Sequence, residues 1–434
     1  MWINLIASVG VFAIGAFILL QIWVMSGGKQ VGILGKKCFT PIVKKGEEEK
    51  VTGKDIAQVA FGAIAFRVAI YLISALALRI IWEDQTLLTL DSFLETWKKW
   101  DANNYIRIAT VGYGGFWIEG KATTLVFFPL YSWIMKFFLL FINSEEIAAL
   151  LVASLCYVVG CCFFYAWIAQ EYGKETAKNA TIFISVFPFS FFLGAMMPES
   201  TFFMVASACL YSIKRHHWKT ATFMGILCCL ARMQGMLLVI PAFLEWMEVY
   251  RPIEKIREKQ YKELWKAFYT KALFIPFMSI GSFIYLGINK YVTGKAFQFL
   301  VYQKEVWGQE SQYFGKTVSQ IWERAFGAEA AGSTCACVWI PEFLLFFIVL
   351  ATVWYGVRRH KPQYTLFLLL YLVMNYLPTW LLSGGRYMTV ALPMFVIWGE
   401  AATKHKTWGK GLMATCSVLF GIYMIGYLMY KQIM

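Results

Sequence analysis

Charge is scarce in this sequence: 15% of its 434 residues are Asp, Glu, Lys or Arg, against 59% apolar. A soluble domain of this size usually carries about 25% charged residues and under about half apolar ones, so a water-soluble fold is excluded. The apolar runs lack the alternation of barrel strands, which excludes a transmembrane barrel. Histidine is scarce as well, with only His216, His217, His360 and His405. No basic residue precedes the first apolar run, and that run is longer than a secretory signal core, so it reads as a retained anchor. There is no repeat of fixed period and no mirrored pair of broken apolar segments, which argues against a transporter built on internal symmetry.

What is present is a series of long apolar runs. Trp2–Met25, Ile56–Ile81, Ala148–Ala169 and Gly411–Tyr430 each approach or exceed the roughly 20 residues that span a bilayer core. Backbone groups in lipid must be satisfied within their own segment, so these runs are helices. The fold class is therefore all-α: a polytopic transmembrane helical protein of about twelve spans, with external loops carrying short helices.

Orientation follows from lysine and arginine. The loops Lys214–Lys219, Arg358–Lys361 and Lys404–Lys410 are short and basic, and residues 27–55 and 250–271 also favour positive charge. Assigning all five to the cytoplasmic side sets the topology, with both termini outside. Residues 82–124, 198–200, the turn at Arg232, 289–338 and 383–386 then lie externally. The segment Leu125–Phe141 is apolar enough to cross, but counting it would turn the Lys174–Lys178 loop outward. It is expected to lie on the membrane or dip into it from outside. Residues 1–55 form an anchor helix with a basic loop, and 56–434 form the main membrane domain, with external loops 82–124 and 289–338. Trp82, Trp218, Trp246 and Trp339 are expected as interfacial anchors at span ends.

The net charge of +14 resides in those loops, so the bilayer is the expected partner and nucleic acid is not. Cys156, Cys161, Cys162, Cys209, Cys228, Cys229 and Cys416 lie inside apolar runs and read as packing residues. Cys335 and Cys337 are separated by one residue, poor spacing for a zinc site or a disulfide. No metal or cofactor is expected.

The polar residues that could carry chemistry gather on the external side. In KKWDANNYIRIATVGYGG (98–115), Asp101 follows Trp100 and shares a helical face with Tyr105 at i+4. The helix ends near Gly112. The plainer reading of Asp101 is a helix N-cap. In AMMPES (195–200), Pro198 ends one span and Glu199 opens the next, where a carboxylate can also serve the helix dipole. Arg232 in LARMQG interrupts an otherwise overlong apolar stretch, a costly place for a charge unless it is paired or wetted. In SGGRYMTVALP, Gly384 and Gly385 leave Arg386 exposed at a span entrance, and Tyr387 can supply a hydroxyl or belong to an aromatic belt. Arg67 lies deep in an apolar run, too far from its end to snorkel, and is expected to pair internally. All four histidines fall in cytoplasmic loops, so carboxylates and arginines remain for an external site. A carboxylate base with guanidinium groups suits sugar transfer from a phosphate leaving group, with inversion.

At these motifs the sequence resembles the PIG-V family of membrane mannosyltransferases, in its bacterial branch, within the GT-C class. The matching pieces are WDANNYIRIATVGYG (100–114), FFPLYSWI (127–134), SVFPFSFFLGAMMPES (185–200), ACLYSIKRHH (208–217), ARMQGMLLVIP (231–241) and GGRYMTVALPMF (384–395), in the family's order. The resemblance implies a polyprenyl-phosphate-linked hexose donor, mannose by analogy, and a glycan or glycolipid acceptor outside the membrane. It implies Asp101 as general base, Glu199 as a second catalytic acidic residue, and Trp100, Tyr105, Arg232, Arg386 and Tyr387 as donor-phosphate or substrate contacts. Pro-Glu-Ser stands where the family commonly has Thr-Glu-Ser. Two departures stand out: Met1–Lys54 looks like an added anchor and basic loop before the family's usual start, and a bacterial member would need an acceptor other than the glycolipid anchors that eukaryotic members act on. The rival expectation is a non-catalytic lipid-linked sugar flippase or transporter, which would line a path near mid-bilayer with polar groups.

Overall fold

The computed structural model describes residues 2–28, 50–81, 89–328, 330–431 and 433. Most of the expected basic loop 27–55, together with Trp82 and the start of the 82–124 loop, lies outside them. Among the described residues the chain is helical, with two isolated β-bridges and no strand. The bundle helices, in chain order, are α1 Trp2–Met25, α2 Gly53–Ile81, α3 Glu145–Tyr172 and α4 Lys174–Val186. They continue with α5 Glu199–Lys214, α6 Trp218–Ala231, α7 Val239–Tyr250 and α8 Ile280–Thr293. The last are α9 Ile340–Val357, α10 Pro362–Asn375, α11 Leu392–Lys404 and α12 Lys406–Leu428.

Six stretches are long and apolar enough to cross a bilayer: Trp2–Met25, Gly53–Ile80, Glu145–Tyr172, Ala272–Thr293, Gly332–Val357 and Lys406–Leu428. The chain is an integral membrane protein. Helices α4, α5, α6, α7, α10 and α11 have only 12 to 16 residues. At 1.5 Å per residue they reach about 18–24 Å, short of a ~30 Å hydrocarbon core. Their ends are where the chain breaks. The 3-10 turns Ser190–Gly194 and Met233–Leu238 follow α4 and α6, and the five-residue helix Gly384–Met388 precedes α11.

Burial orders the bundle from centre to rim. Helix α5 is enclosed on all sides, with nearly all of it from Glu199 to Ile213 buried, as expected of a helix surrounded by others. It packs between α3 and α6. Helix α2 turns Phe61, Leu72, Leu76 and Ile80 outward, the pattern of a lipid-facing helix. The N-terminal anchor is part of the bundle: α1 packs on α9, α10 and the Phe314–Phe326 helix, and the Gln21 amide donates to the Val357 carbonyl at 2.7 Å. Within Leu125–Phe141 the helix is the nine-residue Leu130–Phe138, too short to cross, lying against α3 and the Ala102–Thr110 helix.

Because the helices alternate in direction, residues far apart in sequence share an end. At one end Lys361 lies 3.0 Å from Glu171 and 3.0 Å from Glu248, Lys214 lies 3.5 Å from Glu171, and His216 lies 3.0 Å from Glu245. All four histidines belong to this end. His360 is fully buried there, and burial pushes its imidazole down to about 3, so it remains neutral. Helix α5 connects this end with the other, where Glu199 stands, across roughly 22 Å.

Two expectations about tryptophan need correction. Trp218 and Trp246 are 5% and 4% exposed, so they are not interfacial anchors. Trp218 stacks on His216, and Trp246 packs among Phe243, Tyr250 and Phe268, beneath the loops at the basic end. Trp339 is half-buried under the Arg324 guanidinium, 4.6 Å away.

Helices α4 and α11 approach closely at Gly399, where a Cβ would meet the Ala180 Cβ and the Thr176 carbonyl oxygen at 2.8 Å. Gly399→Val should therefore force the pair apart and lower stability by about 1–3 kcal/mol. Thermal unfolding in detergent tests this; an unchanged midpoint would show that the helices do not need the contact.

Candidate active site

The end opposite the histidines holds a four-member charge cluster assembled from helix breaks. Arg386 is its hub. Its Nη1 donates to Asp101 Oδ2 at 2.6 Å, and its Nε donates to Glu199 Oε1 at 2.5 Å. Arg232 Nη1 donates to the same Glu199 oxygen at 2.9 Å. Two carboxylates balance two guanidinium groups, which offsets the desolvation that burial of either kind alone would impose.

Each member is aimed by a local departure from regular helix. Asp101 occupies the N-cap position of Ala102–Thr110 yet makes no capping hydrogen bond with its side chain; the carboxylate goes to Arg386 instead. Its neighbour Trp100 adopts φ +53°, a left-handed conformation worth about 1–3 kcal/mol of strain for a non-glycine residue. The loop before it is pinned. Trp97 is fully buried between the Tyr71 and Tyr427 rings, and Lys99 Nζ donates to the carbonyls of Tyr427 and Leu428 at the end of α12. Glu199 is the first residue of α5, directly after Pro198. Arg232 has extended backbone (φ −159°, ψ 153°) between α6 and its 3-10 turn, and its guanidinium lies 4.8 Å from the Tyr387 ring. Gln234 ties that turn to α10 through a 2.7 Å hydrogen bond to Asn375.

The two carboxylates differ in access. The Asp101 side chain is 32% exposed, whereas that of Glu199 is 0% exposed and its Oε2 has no hydrogen-bond partner. A group that must exchange a proton with an incoming molecule needs to be reachable, so the two are suited to different work. Tyr105 packs edge-on against Phe127 and Tyr131 at 5.2 and 5.6 Å, holding its helix in place. The Trp100 indole N–H is buried without a partner. Among the described residues, no group of three or more His, Cys, Asp or Glu side chains could hold a metal ion.

Residues 128–280 match the family model described as dolichyl-phosphate-mannose-protein mannosyltransferase. That stretch contains Glu199 and Arg232 and leaves Asp101 and Arg386 outside it. No curated protein matches the sequence. Among solved structures, the chain is similar to ArnT from Cupriavidus metallidurans bound to undecaprenyl phosphate, at 14% identity over 82% of this chain and 63% of that one, with a TM-score of 0.45. It is also similar to the archaeal oligosaccharyltransferase AglB from Archaeoglobus fulgidus in complex with an inhibitory peptide and a dolichol-phosphate. There the identity is 10%, over 83% of this chain and 55% of that one, with a TM-score of 0.39. The chain spans less than two thirds of the length of either.

Three residues around the site had not been singled out from sequence. Lys99 and Asn375 gave no usable signal, because their partners lie hundreds of positions away or across the bundle. Glu342 did give one: an acidic residue inside an apolar run is a candidate by default. Arg67 lies on the far side of the Ser190–Gly194 turn. It stacks on Tyr157 at 4.3 Å, and none of its guanidinium nitrogens has a hydrogen-bond partner. The internal partner expected for it is thus an aromatic face.

Burial pushes the Lys99 ammonium down to about 7. In the unfolded chain it keeps its proton to about pH 10.4. Between those values the unfolded state binds more protons, so this group makes stability rise with pH, and the gain is lost as pH falls toward 7. Lys99→Met should lack that component. Unfolding midpoints of both proteins across about pH 7 to 10 test the sign; parallel profiles would remove Lys99 as the source.

Proposed function

We propose that this protein transfers a hexose, mannose by resemblance, from a polyprenyl-phosphate donor to a glycan or glycolipid acceptor, with inversion at the anomeric carbon. The observation that carries this reading is the Arg386 fork, which joins a reachable carboxylate, Asp101, to an enclosed one, Glu199. The match of residues 128–280 to the mannosyltransferase family model supports it independently. The ordered motifs point further, to a bacterial homologue of the PIG-V enzymes acting on the non-cytoplasmic face of the plasma membrane.

In the proposed reaction Asp101 takes the proton of the acceptor hydroxyl. That oxygen attacks the anomeric carbon from the face opposite the phosphate, the new glycosidic bond forms, and the old carbon–oxygen bond breaks with its electron pair leaving on the phosphate. Arg386 and Arg232 stabilise the departing phosphate by charge-assisted hydrogen bonds. Asp101 pairs through Oδ2, which leaves Oδ1 for proton transfer. A single carboxylate acting in line with the leaving group inverts the centre. Glu199, fully enclosed, serves by holding both arginines, and Trp100, Tyr105 and Tyr387 line the substrate side. The test is purified protein incubated with a panel of polyprenyl-phosphate sugars and acceptors. Acceptor-dependent release of the lipid phosphate is expected; no release from any donor would overturn the reading.

A flippase or transporter is the second reading, and one observation favours it. A crevice of about 640 Å³ runs between α2, α3 and α4 from Asp55 and Lys174 to Tyr157 and Ser185, in the half of the bundle away from the charge cluster. Cysteine-accessibility labelling separates the two. Label at positions 101 and 386 entering from one side only supports the enzyme, and entry from both sides supports transport.

A further inference from the structure

Glu342 lies in the first turn of α9, 3% exposed and within the Gly332–Val357 crossing segment. A carboxyl group there is expensive to bury and persists only where it has specific work. Its Oε1 accepts the Gly384 backbone N–H at 2.5 Å, while Oε2 is without a hydrogen-bond partner. The backbone around it is tied as well, since the Glu342 carbonyl accepts the Tyr376 hydroxyl at 2.6 Å.

Gly384 opens the five-residue helix Gly384–Met388, and the N–H groups that open a helix have no acceptor within it. Glu342 supplies one. The contact is tight: a Cβ on Gly384 would overlap Glu342 Oε2, and a Cβ on Gly385 would lie 2.6 Å from the Phe189 ring. The glycine pair is therefore held between a carboxylate on one side and an aromatic ring on the other. One residue after that pair comes Arg386, which must satisfy Glu199 through Nε and Asp101 through Nη1 at the same time. A planar fork with two fixed targets tolerates little drift of its own backbone.

We propose that Glu342 is a positioning residue that acts through the Gly384 N–H to aim the Arg386 guanidinium at Asp101 and Glu199. The functional weight of this rests on the transferase reading above, but the geometry can be tested apart from it. The full chain carrying Glu342→Leu is placed in lipid nanodiscs and its structure determined beside the wild type. The 383–386 turn is expected to shift and the Arg386–Asp101 bond to open. Donor-dependent phosphate release should fall by roughly 100-fold, the scale of an ångström misplacement. Glu342→Gln keeps an acceptor oxygen and should restore both. If Glu342→Leu yields no folded protein, Gly384→Ala pushes on the same contact from the other side. In an Arg386→Lys background, Glu342→Leu should bring no further fall, because both changes act through one group.

Arg386 remaining within hydrogen-bond distance of Asp101 and Glu199 in Glu342→Leu or in Gly384→Ala overturns the proposal. So does an equal fall in the Arg386→Lys background, the mark of a merely structural role. A turn that shifts in a protein whose wild type releases no lipid phosphate supports the positioning role while the transferase reading falls.

Discussion

Asp101→Asn should lower transfer by roughly 100-fold to 10,000-fold, the range contributed by a positioned general base, while donor binding and folding survive. The amide is nearly the same shape, and its oxygen can still accept the Arg386 N–H that Oδ2 receives at 2.6 Å. Arg386 also keeps its bond to Glu199, so the cluster stays assembled and the donor phosphate still meets two arginines. What disappears is the ability to take a proton. Initial rates of lipid-phosphate release, with donor binding measured on the same preparation, separate these effects. A variant that binds donor normally and turns over at the wild-type rate would remove Asp101 from the role.

The largest effect on stability should come from Glu199→Leu. This substitution leaves Arg232 and Arg386, 7% and 4% exposed, facing one another with Asp101 as their remaining carboxylate. Breaking a buried ion pair by deleting one partner typically destabilises by about 3–5 kcal/mol, and here a single carboxylate oxygen serves two donors. Glu199→Gln should do less harm, since an amide oxygen can still accept both bonds. Thermal unfolding in detergent should rank them wild type, then Gln, then Leu, with activity lost in the Leu variant. A Leu variant that melts with the wild type would mean that the arginines find other partners, and the hub assigned to Glu199 would be wrong.

The helices were legible because lipid removes alternatives. A run such as Glu145–Tyr172 has to satisfy its own backbone, so its composition leaves one structure open to it. The shorter helices were harder to delimit. Arg232, Pro198 and the Gly384–Gly385 pair are visible as interruptions, but an interruption does not tell where the chain resumes or how deep it lies. Trp218 and Trp246 misled for a related reason. An aromatic residue at a helix end suits the membrane interface, and suits equally a pocket beneath a loop, which is where both lie.

Asp101 and Glu199 illustrate the remaining gap. Each carries a local signal that suits a helix cap, because a carboxylate ahead of a helix has an ordinary local use. Each declines that use in favour of arginines 285 and 33 to 187 positions away. Periodicity and composition can specify which segments are helices and which polar residues interrupt them, because those properties depend on near neighbours and on the solvent. Which interruptions meet, which carboxylate remains reachable, and which buried acid braces the turn beneath an arginine depend on how the helices pack. Those matters were decided by contacts between residues from 33 to 285 positions apart, and only the folded bundle brings such contacts within hydrogen-bond distance.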